Sequence, residues 1–139
     1  MTRTTTLAFV LAALVGGGSS LQAQSAPEYR GVYEGTGRAC AGKLRVGEAR
    51  LEWSTPFSHC GPSAYRTVDR SSAANGLEIE FQLLEPGKAC RYPFLVLTHA
   101  AGAQPEIGWN VSGYPNASAL NARNHAEALT SSSVWQESR

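Results

Sequence analysis

The sequence predicts a mainly β protein, a small antiparallel meander of about seven or eight strands closed as a barrel or a two-layer sandwich, with a short helix near the C-terminus. Three observations lead there. Leu77-Glu78-Ile79-Glu80-Phe81-Gln82-Leu83 alternates apolar and polar residues throughout, the mark of a strand with one wet face. Lys43-Leu44-Arg45-Val46 and Arg50-Leu51-Glu52-Trp53 alternate likewise, and Gly47-Glu48 joins them as the turn of a tight hairpin. The breaks 71–76, 85–88 and 101–105 are rich in Ser, Asn, Gly and Pro and fall between such runs.

Taken in order, the first strand is expected over Tyr29 to Arg38, glycine-rich, with Val32 and Tyr33 as its bulk. The hairpin 43–53 follows. A fourth strand is expected over Ala64 to Asp69, where the alternation is poor, and a fifth over Leu77 to Leu83. Arg91 to Thr98 is apolar on both faces, so that strand is central or covered, with Pro93 at a bulge or an edge. Glu106 to Val111 alternates again. The alanine-rich segment 116–127 suits a short helix with Ser118 as its cap, and Leu129 to Trp135 is either an eighth strand or a loose tail.

Ahead of this domain, one basic residue (Arg3) precedes the apolar run Leu7 to Val15, which gives way to Gly16-Gly17-Gly18-Ser19-Ser20. That order is the pattern of a secretory signal peptide, and the apolar run is too short to cross a bilayer. The expected division is residues 1–23 as signal and 24–139 as a single β-rich domain, with cleavage after Ser25 as the second choice. The chain is then exported to a periplasmic or extracellular compartment, without a membrane anchor. It carries 12 Lys+Arg against 11 Asp+Glu, and loss of Arg3 equalises them. So even a balance gives no electrostatic reason to seek nucleic acid or an anionic membrane.

In an exported chain the default use of cysteine is the disulfide. If consecutive strands run up and down as neighbours, Cys40, Cys60 and Cys90 all fall at one rim of the fold. Closing a loop of about 20 or about 30 residues stabilises by roughly 3 to 4 kcal/mol either way, so loop entropy does not choose the pair. Cys60–Cys90 is favoured, because each residue opens a descending strand shortly before a tyrosine (Tyr65, Tyr92). Cys40–Cys60 and Cys40–Cys90 stay open. Cys40 is otherwise a free thiol or a covalent link between two chains. A sharper alternative is a metal site of Cys40, Cys60, Cys90 and His59, although no pair has the Cys-x-x-Cys spacing usual for zinc.

Catalytic and cofactor motifs are absent from the sequence. Gly61-Pro62-Ser63-Ala64-Tyr65 fails as a nucleophile elbow at its last position. Gly35-Thr36-Gly37-Arg38-Ala39-Cys40 begins like a dinucleotide fingerprint but leads into a hairpin. Glu78 and Glu80 read as a solvated strand face, His99 as a loop residue, and His125 with Glu127 as a solvated pair. Trp53 and Trp109 are in phase with aliphatic neighbours, the latter with Ile107 and Val111, and belong to the core; Trp135 is free to cap a barrel end. Asn110-Val111-Ser112 and Asn116-Ala117-Ser118 match the glycan-acceptor pattern.

Gly31-Val32-Tyr33 at the head of the meander resembles the Gly-x-Trp opening of lipocalin-type barrels, with tyrosine in place of tryptophan. The resemblance covers three residues and implies an up-and-down barrel, not a function. The functional expectation is an exported, non-enzymatic binding protein. It meets a protein or a small ligand at the cysteine-bearing rim through Phe57, His59, Arg91 and Tyr92. A metal- or thiol-based function at the same rim, or a secreted hydrolase with a non-standard site, are the alternatives.

Overall fold

The computed structural model describes residues 28–36 and 41–137, with the backbone alone for 131–135. Eight strands follow in chain order: β1 (Gly31–Gly35), β2 (Gly42–Val46), β3 (Arg50–Thr55), β4 (Ser58–Ala73), β5 (Gly76–Leu83), β6 (Phe94–Ala100), β7 (Trp109–Tyr114) and β8 (Leu129–Gln136), with one helix, α1 (Ala117–Asn121), before β8. Each pairs antiparallel with its neighbours in sequence, and β8 returns to β1 to close a barrel. The seam is narrow, resting on the register partners Tyr33↔Gln136 and Glu34↔Trp135. With β1 taken as rising, the β3–β4 turn, the loop 84–93 and α1 lie at the upper end. The β2–β3 turn, the loop 101–108 and the lead-in 28–30 lie at the lower end.

Side-chain periodicity sets the two surfaces. Leu77, Ile79, Phe81 and Leu83 of β5 point inward and are buried, while Glu78, Glu80 and Gln82 point out. Trp53, Trp109, Tyr33 and Phe81 fill the barrel along its length and are almost wholly inaccessible to water. Outside, α1 lies against the sheet, where Val96, Tyr114, Ala119 and Leu120 form a second apolar cluster. That cover explains why β6 is apolar on both faces: Leu95 and Leu97 fill the barrel and Val96 sits beneath the helix.

Several expectations shift. The fourth strand spans 58–73 rather than 64–69, and register shifts between Leu51 and Trp53 and between Thr67 and Asp69 account for its poor alternation. β6 starts after Pro93, whose carbonyl accepts from the Leu83 N–H at 2.9 Å. β7 starts at Trp109, because Gly108 turns the chain with φ +81°. Ile107 is therefore in the preceding loop and 49% exposed, whereas Trp109 and Val111 are core. His99 is a buried residue of β6 and not a loop residue.

The helix is shorter than expected, and its cap is Asn116, not Ser118: the Asn116 side-chain oxygen accepts from the Ala119 N–H at 2.8 Å. Glu78 and Glu80 are not a merely solvated face. Arg123, just beyond α1, crosses β6 and reaches Glu78 at 2.6 Å and Glu80 at 2.5 Å, tying the helical segment to β5.

Gly113 on β7 lies where the two upper plugs of the barrel meet. A Cβ there would collide with the Trp53 ring and stand 2.7 Å from Tyr92 Cβ. Neither neighbour is the loose end of a flexible chain. Gly113→Ala should therefore destabilise by about 2 kcal/mol, a fall in Tm on the order of 10 °C in a thermal melt followed by circular dichroism.

Candidate functional site

The upper end is built around a short turn. Thr55 Oγ1 accepts from the N–H groups of Phe57 (3.3 Å) and Ser58 (3.1 Å) and donates to the Ser58 carbonyl (3.2 Å). Pro56 and Phe57 form the tip, and Phe57 is 53% exposed. Beside it, the loop 84–93 is fastened along the start of β4. The His59 N–H donates to the Ala89 carbonyl (3.1 Å) and the Gly61 N–H to the Pro86 carbonyl (2.9 Å). The N–H groups of Glu85 and Arg91 donate to the buried hydroxyls of Ser63 (2.8 Å) and Ser58 (2.9 Å).

A disulfide between Cys60 and Cys90 completes the attachment, the pairing favoured from the sequence. Cys60 is fully buried, and the Ser58 hydroxyl lies 3.3 Å from its sulfur. Cys40 lies outside the described residues, and with it the questions of a free thiol and a covalent dimer. In the disulfide, Cys60 and Cys90 are not thiolates, so the four-ligand metal set with Cys40 and His59 does not exist in the oxidised protein. Among the described residues, no group of three or more His, Cys, Asp or Glu side chains is arranged to hold a metal ion.

Of the four rim residues expected from the sequence, three are exposed and Tyr92 is half-buried. Phe57, His59 and Arg91 are exposed, and His59 Nδ1 lies 3.2 Å from Ser54 Oγ. Tyr92 turns inward instead. Its ring packs 6.3 Å from that of Trp53 and closes the upper end of the barrel. Leu84, exposed on the same loop, adds apolar surface that the sequence reading missed. Its signal was the doublet Leu83-Leu84, in which strand phase sends one leucine in and the other out.

The lower end is plugged as well. Tyr33 packs edge-on against Trp109 at 5.1 Å, and His99 lies against Trp109 at 4.5 Å with Nε2 3.0 Å from the Gln104 carbonyl. The Tyr33 hydroxyl donates to the Tyr29 carbonyl and accepts from Gln136 Nε2 at 3.3 Å. Burial, reinforced by Glu28 and Tyr29, pushes the Tyr33 phenol well above its ordinary value. On the outside of this end, a cleft of about 990 Å³ runs between Glu28, Arg30, Arg45, Glu48, Glu106 and Gln136. Four separate chain segments line it, which is why no sequence motif announces it.

The polar side chains of interest for catalysis are occupied structurally. Ser63 donates to the Ala64 carbonyl at 2.7 Å while accepting from Glu85, and is buried. Glu78 and Glu80 neutralise Arg123. His125 is exposed at the end of the helical segment. Compared with known protein families, characterised proteins and solved structures, the chain matches none of them. No helix among the described residues is long and apolar enough to cross a membrane.

The disulfide closes a separation of 30 residues, and its loss should lower the unfolding free energy by about 3 to 4 kcal/mol. Urea titration of the oxidised protein against a Cys60→Ala, Cys90→Ala double variant measures this, and amide exchange should show 84–93 loosening first. The second expectation concerns pH. Because the folded pKa of Tyr33 is raised, its contribution is complete below the ordinary phenol value of about 10 and is lost as pH climbs through the raised value. Tm should therefore decline above about pH 10. The decline should be shallower for Tyr33→Phe, whose lost hydroxyl bonds cost about 1 kcal/mol at neutral pH.

Proposed function

We propose that this protein is an exported binding module, periplasmic or extracellular, that meets a protein or small-ligand partner at its disulfide-tied upper end. The observation that carries this reading is the exposed Phe57 at the tip of a turn pinned by Thr55. His59 and Arg91 flank it on segments held by the Cys60–Cys90 bridge and four hydrogen bonds. An aromatic ring with cationic and hydrogen-bonding neighbours on a rigid frame loses little conformational freedom on association, which is how a small contact area becomes a specific one. The disulfide favours an oxidising compartment, in keeping with the signal-like opening of the sequence.

A filled interior supports surface recognition over enclosure of a ligand. Tyr92 and Trp53 occupy one end, Tyr33 and Trp109 the other, and Phe81 the middle. A site for chemistry would need a nucleophile or base free to react. Ser63 and the Glu78–Glu80 pair are committed to the fold.

The test is capture from the native compartment with the mature, oxidised chain, followed by affinity measurement on whatever is retained. Phe57→Ser and Arg91→Glu should each weaken that binding at least tenfold, which is about 1.4 kcal/mol, with Tm unchanged. Full retention by the double variant would remove the upper end as the working surface.

A further inference from the structure

β4 changes partner halfway along its length. Its upper part pairs with β3 from Thr55↔Ser58 to Arg50↔Ala64, and its lower part pairs with β5 from Tyr65↔Leu83 to Ala73↔Gly76. On the side of β4 away from β5, residues 66–73 therefore have no strand beside them, because β3 begins only at Arg50. Apart from the ladder with β5, no backbone hydrogen bond from another described segment reaches 66–73, and all eight of these residues are exposed. In an antiparallel ladder, N–H and C=O groups alternate between the two sides of a strand, so a share of those in 66–73 points away from β5 into water.

Soluble proteins blunt such an edge with proline, with charge, with a bulge, or by covering it, and of these 66–73 carries charge and one register shift, at Val68. Here there is no proline and no cover among the described residues, and the charge is lopsided. Arg66 is bonded to the neutral Gln82 at 2.7 Å, Arg70 stands over the Tyr29 ring at 5.1 Å, and Arg50 donates to the Pro62 carbonyl at 3.2 Å. None of the three has a carboxylate partner among the described residues, in contrast to Lys43, Arg45 and Arg123. Asp69 is the only acid in 66–73. Val68, at the register shift between Thr67 and Asp69, adds an apolar contact at 47% exposure.

We propose that the edge 66–73 of β4 is a second docking surface, which takes an extended acidic segment of a partner polypeptide as an added antiparallel or parallel strand. Backbone hydrogen bonds supply the affinity, and the carboxylates of the segment pair with Arg50, Arg66 and Arg70. A second copy of this chain is the poorer occupant, because it would bring the same excess of arginine to the junction. This surface is on the lower half of the barrel and does not depend on the reading of the upper end.

The experiment uses the purified oxidised protein and two capped ten-residue peptides, one alternating Glu with Val and one alternating Lys with Val. Binding is followed by fluorescence anisotropy, and its location by amide hydrogen exchange. The Glu–Val peptide should bind at least tenfold more tightly than the Lys–Val peptide. It should slow exchange within 66–73 and weaken as salt is added. Arg66→Glu combined with Arg70→Glu should reduce that affinity at least tenfold with Tm unchanged, and Arg66→Lys with Arg70→Lys should largely retain it. The proposal is overturned by equal binding of the two peptides, by binding of neither, or by protection that appears elsewhere. Protection of 66–73 that grows with protein concentration in the absence of peptide would identify a second copy as the occupant and overturn the partner proposed here.

Discussion

β4 is too long to be matched by either neighbour, and the rest of the molecule is arranged around that mismatch. Residues 58–64 belong to the ladder with β3 and residues 65–73 to the ladder with β5. Each half is left with one side short of a strand. Over the upper half the loop 84–93 fills the vacancy, supplying the carbonyls of Ala89 and Pro86 to the N–H groups of His59 and Gly61. It forms no regular strand there, and the Cys60–Cys90 bridge with the Ser58 and Ser63 hydroxyls holds it instead. Over the lower half no described segment fills the place. One change of partner thus yields a stapled end and an open edge.

The barrel is small enough that its inward side chains fill it. Tyr33, Trp53, Phe81 and Trp109 meet across the axis, and Tyr92 closes the top. Gly113 is part of this economy, since only a residue without a side chain leaves room for Trp53 and Tyr92 to pass behind β7. With the interior filled, recognition is carried by the outside: the turn at Phe57, the loop above it, and the sides of the strands.

The helical segment acts as a strap over the outer face of β5, β6 and β7. Ala119 and Leu120 cover Val96 and Tyr114, and Arg123 reaches over to Glu78 and Glu80. Arg123 takes a positive φ of 50° to make that turn, a conformation that costs about 1 kcal/mol for a residue with a side chain. The two carboxylates and the apolar contacts of α1 offset it. Two glutamates on the wet side of a strand, read alone, gave no sign of this partner, because Arg123 is more than forty positions away.

What the sequence determined by itself was local and periodic. The alternation of 77–83 and of 43–53 fixed which side chains enter the core, and up-and-down order followed from the short breaks between runs. That order placed Cys60 and Cys90 at one end, where they are joined. Phe57, His59 and Arg91 were legible for the same reason, as residues at the ends of neighbouring strands. Tertiary structure decided what depends on phase across a bulge or on distant partners. A change of partner from β3 to β5 gave β4 its length, Gly108 put Ile107 outside the core, and packing on Trp53 drew Tyr92 inward. The open edge at 66–73 was invisible in one dimension. A strand pattern records which face of a residue is buried, but the side on which its backbone is paired depends on where the neighbouring strand happens to end.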